Sequence, residues 1–448
     1  MCGEVGDCVS SHIWRTKQGS DERVRMGHPW VFAGELMNSP RGVLPGDLVE
    51  LQDHKGNFLA RGYGNPHSQI AFRALTHRRV NIFDEEFYIG RLLAAWKARR
   101  MMGFLQSFRL CFGEMDGLPG IIVDYYLLSE QSGKAIGQLL SVQCSTAGAD
   151  AIWKRHSELF AKLCQRAISS GLTNFSWGQT IVIQRNDLSV RKLEGLTPED
   201  PRIVHQGLEG IDPHGARFAI GGLTLQADFI EGQKTGFFLD QSRNIQLVTE
   251  ALPSILADVL KVRREIRIID LCCYVGHWSA RLAQSVRQLG GEAQVTLVDV
   301  SQDALAAAQK NVEPYASQVE CLRKDVLRDL DDLPKDAFDV VIVDPPAFIK
   351  ARKDIPAGVA AYTKLFSHGF RIGREDGIVV CCSCSGLLDE ENFHQAMRKS
   401  IVRSGKRARG VIRGGHSPDH PVSPVFPEGT YLKMQAYLLG KLEDLPLE

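Results

Sequence analysis

One stretch constrains this chain more than any other: Ile266-Arg267-Ile268-Ile269-Asp270-Leu271-Cys272-Cys273-Tyr274-Val275-Gly276-His277-Trp278-Ser279. Its first half is largely apolar and β-branched, with Asp270 near the end, the pattern of a buried parallel strand. A short turn closes on Gly276, and Ser279-Ala280-Arg281-Leu282-Ala283 begins a helix. Strand, tight turn and helix N-terminus together form a ligand-sized crevice at the carboxyl edge of a sheet. Gly276 has no Cβ, so the backbone there can lie close to a ligand.

The turn is not built for a pyrophosphate. A dinucleotide fingerprint needs three glycines, G-x-G-x-x-G, and here a single glycine stands among Tyr274, His277 and Trp278. An acid followed by a one-glycine turn suits a ligand with a cationic amino group, such as S-adenosylmethionine (SAM). A plain strand–helix crossover is the alternative. Three later strand ends also carry acids. The apolar run 294–298 ends in Asp299, more than about 20 residues past the glycine, where an acid pairs with ribose hydroxyls. Asp299 also reads as a helix N-cap. The run 319–323 leads to Asp325, placed for an adenine amino group or for a solvated turn. The run 338–343 ends in Asp344-Pro345-Pro346-Ala347-Phe348. Helical segments such as 304–311 alternate with these strands, which gives an α/β fold with a doubly wound, Rossmann-like sheet in the C-terminal part.

The chain has 448 residues, enough for two to four domains. With 44% hydrophobic and 24% charged residues it has a globular composition. Lys plus Arg and Asp plus Glu number 53 each, so any nucleic-acid contact rests on local patches and not on a global field. No run of about 18 apolar residues is present, so no membrane partner is expected. The first fifteen residues lack the apolar core of a secretory signal. Eleven scattered cysteines fit a reducing, cytoplasmic setting better than a disulfide framework.

Residues 1–22 read as a tail. Residues 23–80 read as a small β-barrel, with short strands at 47–52, 58–62 and 69–75 and turns at Pro40-Arg41-Gly42, 53–57 and 64–66. Residues 81–190 read as a middle α/β domain, with helices at 84–100 and 151–168 and strands at 109–111, 121–124 and 181–184. A hairpin and linker at 191–230 lead to the last domain, 231–448. At its entrance, Lys234-Thr235-Gly236-Phe237-Phe238-Leu239-Asp240-Gln241 precedes a helix at 244–252. Asp240 reads as that helix's cap, and Lys234, Thr235, Gly236, Phe238 and Asp240 as a wall of the SAM crevice.

Six blocks, in order, carry a resemblance. They are Gly27-His28-Pro29-Trp30-Val31-Phe32, Gly113-Glu114-Met115-Asp116-Gly117-Leu118-Pro119-Gly120, the 234–241 block, Asp344-Pro345-Pro346-Ala347-Phe348, Ser383-Cys384-Ser385-Gly386-Leu387 and Pro427-Glu428-Gly429-Thr430-Tyr431-Leu432-Lys433. Together they resemble the bacterial large-subunit ribosomal RNA cytosine-C5 methyltransferases that carry an N-terminal PUA domain. The resemblance covers nearly everything after Arg23. It implies a PUA-like RNA-binding barrel, a middle α/β domain, a C-terminal Rossmann-like methyltransferase sheet, SAM as methyl donor, ribosomal RNA as partner and a cysteine nucleophile. The family usually has lysine where Ala347 stands, and smaller or purely apolar residues at His277 and Trp278.

The residues themselves support the chemistry. Carbon 5 of a pyrimidine is a poor nucleophile, and thiolate addition at carbon 6 turns the ring into an enamine that can attack a methyl group. Gly377-Ile378-Val379-Val380-Cys381-Cys382 is a buried strand that would deliver Cys384 to the sheet edge. Cys381 and Cys382 read as core. Cys381-x-x-Cys384 lacks the second ligand pair of a metal site, so no metal is expected. Asp344 is the second catalytic candidate, to hold the exocyclic amino group of the base or to relay a proton. The SAM site is expected from the 234–240 wall, from Asp270, Cys272, Tyr274 and Gly276, and from Asp299, Asp325, Asp344 and Pro345. Basic runs at 398–409 and 261–267 are phosphate-binding candidates or solvated faces. SAM-dependent methylation of a guanine nitrogen, which needs no thiol, is an alternative. A non-catalytic RNA-binding or ribosome-assembly factor is another. Oligomeric state is open, with a homodimer among the options.

Overall fold

The computed structural model describes residues 12–37 and 42–440. The chain divides into two compact units. The first comprises residues 1–218, 228–237 and 418–429, and the second residues 219–227, 238–417 and 430–448.

The first unit holds two sheets. In the first, five strands run in the order His12–Arg15, Leu48–Gln52, Phe58–Gly64, Phe72–Thr76, Trp30–Val31. Only the first pairing is parallel, with His12 opposite Val49. Trp14, Val31, Leu51 and Phe72 fill its core. The edge strand His12–Arg15 lies inside the segment read from sequence as a tail. Only residues 1–11 of that segment, and 38–41 of the turn region at Pro40-Arg41-Gly42, fall outside the described residues.

The second sheet is built on Ile121–Ser129 and Ala135–Cys144, an antiparallel pair. Phe108–Phe112 pairs with the former, and Thr180–Gln184 and Arg202–Gln206 continue beyond the latter. Helix Glu85–Met101 packs against it. Asp84 caps that helix by accepting from the Glu86 N–H (3.1 Å). Acids in its first turn and arginines in its last complement the helix dipole. Its Trp96 is fully buried beside Tyr125, with centroids 5.3 Å apart. The single helix expected at 151–168 is two, Ala147–Arg155 and Leu159–Ser169. The chain leaves helical geometry at His156, where φ is −117° and ψ 69°.

The short segment 418–429 adds to this first unit. Asp419 and His420 are both buried, and the Asp419 carboxylate accepts from the Arg109 N–H (2.7 Å). Arg99 forks onto Asp116 (2.6 and 2.7 Å) and donates to the Asp419 carbonyl (2.8 Å). Phe426 packs edge-on against Trp30, with centroids 4.7 Å apart. Trp30 donates to Glu114 (2.8 Å) and lies under the Arg73 guanidinium. Trp30 thus serves the packing of this unit.

The second unit carries a seven-stranded sheet in the order Gln318–Arg323, Glu292–Asp299, Glu265–Leu271, Phe338–Val343, Gly373–Ser383, Lys433–Leu439, Ala408–Gly414. The first five strands are parallel, Lys433–Leu439 runs antiparallel to them, and Ala408–Gly414 pairs antiparallel with it and so returns to their direction. Ile269, Leu271, Val341 and Val343 share one core with Tyr362, Phe366 and Phe393 of helices Ile355–Ile372 and Glu390–Ser404. Glu265–Leu271 lies between Glu292–Asp299 and Phe338–Val343, its successors on opposite sides. That is the switch point at which a doubly wound sheet opens a crevice beyond its carboxyl ends.

Candidate active site

The turn after Glu265–Leu271 is held tightly. Cys272 and Cys273 both donate their N–H to the Val298 carbonyl (2.9 and 3.0 Å). The Tyr274 N–H donates to Asp299 Oδ2 (3.0 Å). Cys272, Tyr274 and Gly276 all take positive φ, at 71°, 48° and 81°. A Cβ on Gly276 would lie 3.0 Å from Val312 Cγ2 and 3.2 Å from the Ala308 Cα, so glycine is needed for both space and conformation. Helix His277–Gln288 follows directly.

Asp270 is 1% exposed. Ser279 Oγ donates to its Oδ2 (2.8 Å), while Oδ1 has no hydrogen-bond partner. Burial raises its pKa to about 7, against the Ser279 hydrogen bond, and the charges of Asp344 and Asp299 add to the rise. A buried carboxylate oxygen without a partner fits a cationic amino group. The Cys272 thiol reports the same convergence: burial pushes it well up, followed by Asp299, Asp344, Asp270 and Asp325. Four strand-end acids therefore act on one point.

Asp344 is fixed from two sides. Gln241 Nε2 donates to Oδ1 (2.9 Å) and the Trp278 indole to Oδ2 (3.2 Å). Asn244 donates to Gln241 Oε1 (2.7 Å), which sets the orientation of that amide. Cys384, half-buried beyond the strand Gly373–Ser383, has its Sγ 3.8 Å from the Pro345 carbonyl. The thiol thus sits one residue from Asp344, and Trp278 ties Asp344 to the helix that leaves the Gly276 turn. Phe238 meets Tyr274 edge-on, with centroids 5.0 Å apart.

The remaining expected residues make contacts of their own. Lys234, Thr235 and Gly236 belong to the first unit. There the buried Thr235 hydroxyl bonds Asp124, and the Lys234 carbonyl accepts from Gln143 (3.3 Å). Asp240 is not a helix cap: it lies in a 3-10 turn and accepts from the Tyr431 hydroxyl (2.6 Å). Asp299 is not a cap either, because Ser301 caps helix Gln302–Val312 (3.2 Å to the Ala304 N–H). Asp325 accepts from the Leu327 N–H (3.0 Å) and pairs with Arg328 (3.4 Å). Among the described residues, no group of three or more His, Cys, Asp or Glu could hold a metal ion.

The sequence and the fold match known proteins. Residues 15–77 match a PUA-like domain, and residues 268–368 a methyltransferase domain. A protein from Photobacterium profundum named ribosomal RNA large subunit methyltransferase I is 31% identical over 435 residues, covering 95% of this chain and 98% of its own length. One of the same name from Klebsiella pneumoniae is 30% identical, covering 93% and 95%. The chain belongs to this family. It is a SAM-dependent RNA methyltransferase with an N-terminal PUA-like domain and a Rossmann-like catalytic sheet. In fold it resembles a SAM-dependent methyltransferase from Streptococcus mutans, with TM-score 0.69 and 15% identity over 95% of this chain and 100% of that one. A second structure, described as a methyltransferase complexed with SAH, has TM-score 0.70, 16% identity and the same coverage.

Sequence reasoning did not identify the residues that orient the methyltransferase's Asp344. Gln241 was legible only as the end of a block, and Trp278 only as a departure from the family pattern. In its basic runs, Lys261 pairs with Asp258 (2.7 Å), Arg264 with Glu292 (3.7 Å), Arg263 with Asp339 and Lys406 with Asp336. No helix among the described residues is long and apolar enough to cross a membrane.

Proposed function

We propose that the enzyme methylates carbon 5 of a cytosine in ribosomal RNA, in the cytoplasm, through a covalent adduct with Cys384. The observation that carries this reading is the contact of Cys384 Sγ with the Pro345 carbonyl, next to an Asp344 carboxylate held by Gln241 and Trp278. The names of its relatives supply the ribosomal RNA class.

SAM, when bound, supplies an electrophilic methyl group. Asp270 offers its unpartnered oxygen to a cationic amino group, and Tyr274, Phe238 and Gly276 shape the turn around it, with Asp299, Asp325 and Pro345 beside it. We assign Lys234, Thr235 and Gly236 to the segment that leads into this wall. Asp344 uses its remaining lone pairs to accept from the exocyclic amino group of a cytosine taken out of its stack. The Cys384 thiolate then adds to carbon 6 and forms an S–C bond. The electron pair released toward carbon 5 forms the new C–CH3 bond, and the methyl–sulfur bond of the donor breaks. Loss of the carbon 5 proton to a base restores the ring double bond and expels Cys384 as thiolate. The domain limits 1–22, 23–80, 81–190, 191–230 and 231–448 remain our division of labour, with RNA placement in the second segment. The site comes from one chain, so the mechanism requires no homodimer.

Incubation with labelled SAM and ribosomal RNA, then nucleoside analysis, tests the proposal. It expects 5-methylcytidine with the unmodified enzyme and none with Cys384→Ala. Full turnover in Cys384→Ala with label on a guanine would replace this reading by nitrogen methylation.

A further inference from the structure

The block ending in Lys433 has no part in the chemistry so far. Strand Lys433–Leu439 runs antiparallel to Gly373–Ser383, with Lys433 opposite Ser383, the residue before Cys384. Lys433 is only 6% exposed. Lysine is almost never so buried without compensation. Its Nζ donates to the carbonyl of Ser385 (3.2 Å), the residue after Cys384, and to that of Tyr431 (3.0 Å). The ammonium is therefore anchored to the residue after the thiol and to its own segment at Tyr431.

Neither acceptor is an anion. The negative groups acting on Lys433 are Glu390, Cys384 and Asp389, and burial outweighs them, so its pKa is lowered. Both carboxylates are committed elsewhere. Glu390 pairs with Arg413 (3.1 Å) and His394 (3.9 Å), and Asp389 caps its helix on the Asn392 N–H (2.8 Å). Tyr362 and Cys382, both held neutral by burial, also interact with Cys384. Lys433 is the cation among these groups.

We propose that Lys433 is a positioning residue whose buried charge stabilises the Cys384 thiolate. This rests on the reading of Cys384 as the nucleophile. An opposite charge favours the ionised form of its neighbour, and each unit of pKa is tenfold in thiolate near neutrality.

Iodoacetamide alkylation of Cys384 across pH, followed by mass spectrometry of its peptide, tests the proposal without RNA. The unmodified protein should show a midpoint below the ordinary value of about 8.5. Lys433→Met should alkylate about tenfold more slowly at pH 7, and Lys433→Arg should keep most of the rate. A midpoint at or above about 8.5 in the unmodified protein, or an unchanged profile in folded Lys433→Met, overturns it. If Lys433→Met does not fold, the unmodified protein's midpoint decides alone. A flat profile sinks only the lysine's role, whereas methylation surviving in Cys384→Ala sinks the nucleophile itself.

Discussion

Asp344 accepts two hydrogen bonds from neutral donors, and each fixes one oxygen. Trp278→Phe keeps an aromatic ring at this buried position and removes the indole N–H, with some loss of volume. A hydrogen bond to a charged group contributes about 1.5–3 kcal/mol, so kcat should fall roughly tenfold or more while SAM affinity changes little. Steady-state kinetics alongside calorimetric titration of SAM checks this, and an unaltered kcat would remove Trp278 from the mechanism. Asp270 makes a pH prediction. Its folded pKa of about 7 lies above the ordinary carboxyl value, so the folded state binds more protons between roughly pH 4 and 7. Ionised Asp270 therefore weighs against stability above that window, and the penalty is relieved as pH falls through about 7. A cationic ligand needs the ionised form. The Kd for SAM should then be about tenfold weaker at pH 5.5 than at pH 7, and Asp270→Asn should bind weakly with no such slope. Asp270 and Cys384 were legible as residues because strand ends with an acid or a thiol follow unmistakable apolar runs. Gln241 and Trp278, which hold Asp344, were not, because their contacts join positions 103 and 66 residues apart.

At the scale of elements, the turn 272–276 has three residues in left-handed conformation, and only Gly276 adopts it freely. Gly276→Ala adds about 1–2 kcal/mol of backbone strain and a tight contact on helix Gln302–Val312. A Tm lower by about 2–6 °C is expected, with weaker SAM binding, and scanning calorimetry would show it. A Tm equal to the parent's would mean that the turn relaxes. The strands Glu265–Leu271 and Phe338–Val343 could be read from sequence because they are buried on both faces and uniformly apolar. Ala135–Cys144 escaped notice, although its residues from Gly137 onward are all buried. Its Gln138, Ser141 and Gln143 break the apolar run. Gln138 and Gln143 find partners only in the folded chain, Gln138 at Thr180 and Thr173 and Gln143 at the Lys234 carbonyl. The break at His156 was equally hidden, since the apolar spacing runs straight through it.

For the whole molecule, the segmental make-up of the two units could not be read from sequence, because hydrophobic patterning reports neighbours and not returns. Asp419 shows how firmly the returning segment is fixed. Asp419→Ala withdraws a buried acceptor from the Arg109 N–H and from His420. A loss of about 2–4 kcal/mol is expected, read as a shift in urea midpoint. A midpoint identical to the parent's would show that the segment contributes nothing there.

Because 418–429 belongs to the first unit, that unit is missing a piece until those residues have been synthesised. Translation from the N-terminus can shape its sheets early, yet Asp419, which accepts from Arg99 and from the Arg109 N–H, follows them by 320 and 310 residues. Maturation of the first unit is thereby tied to the arrival of residues 418–429, and a chain that stops before them carries an unfinished first unit as well as a catalytic sheet that lacks its strand Lys433–Leu439.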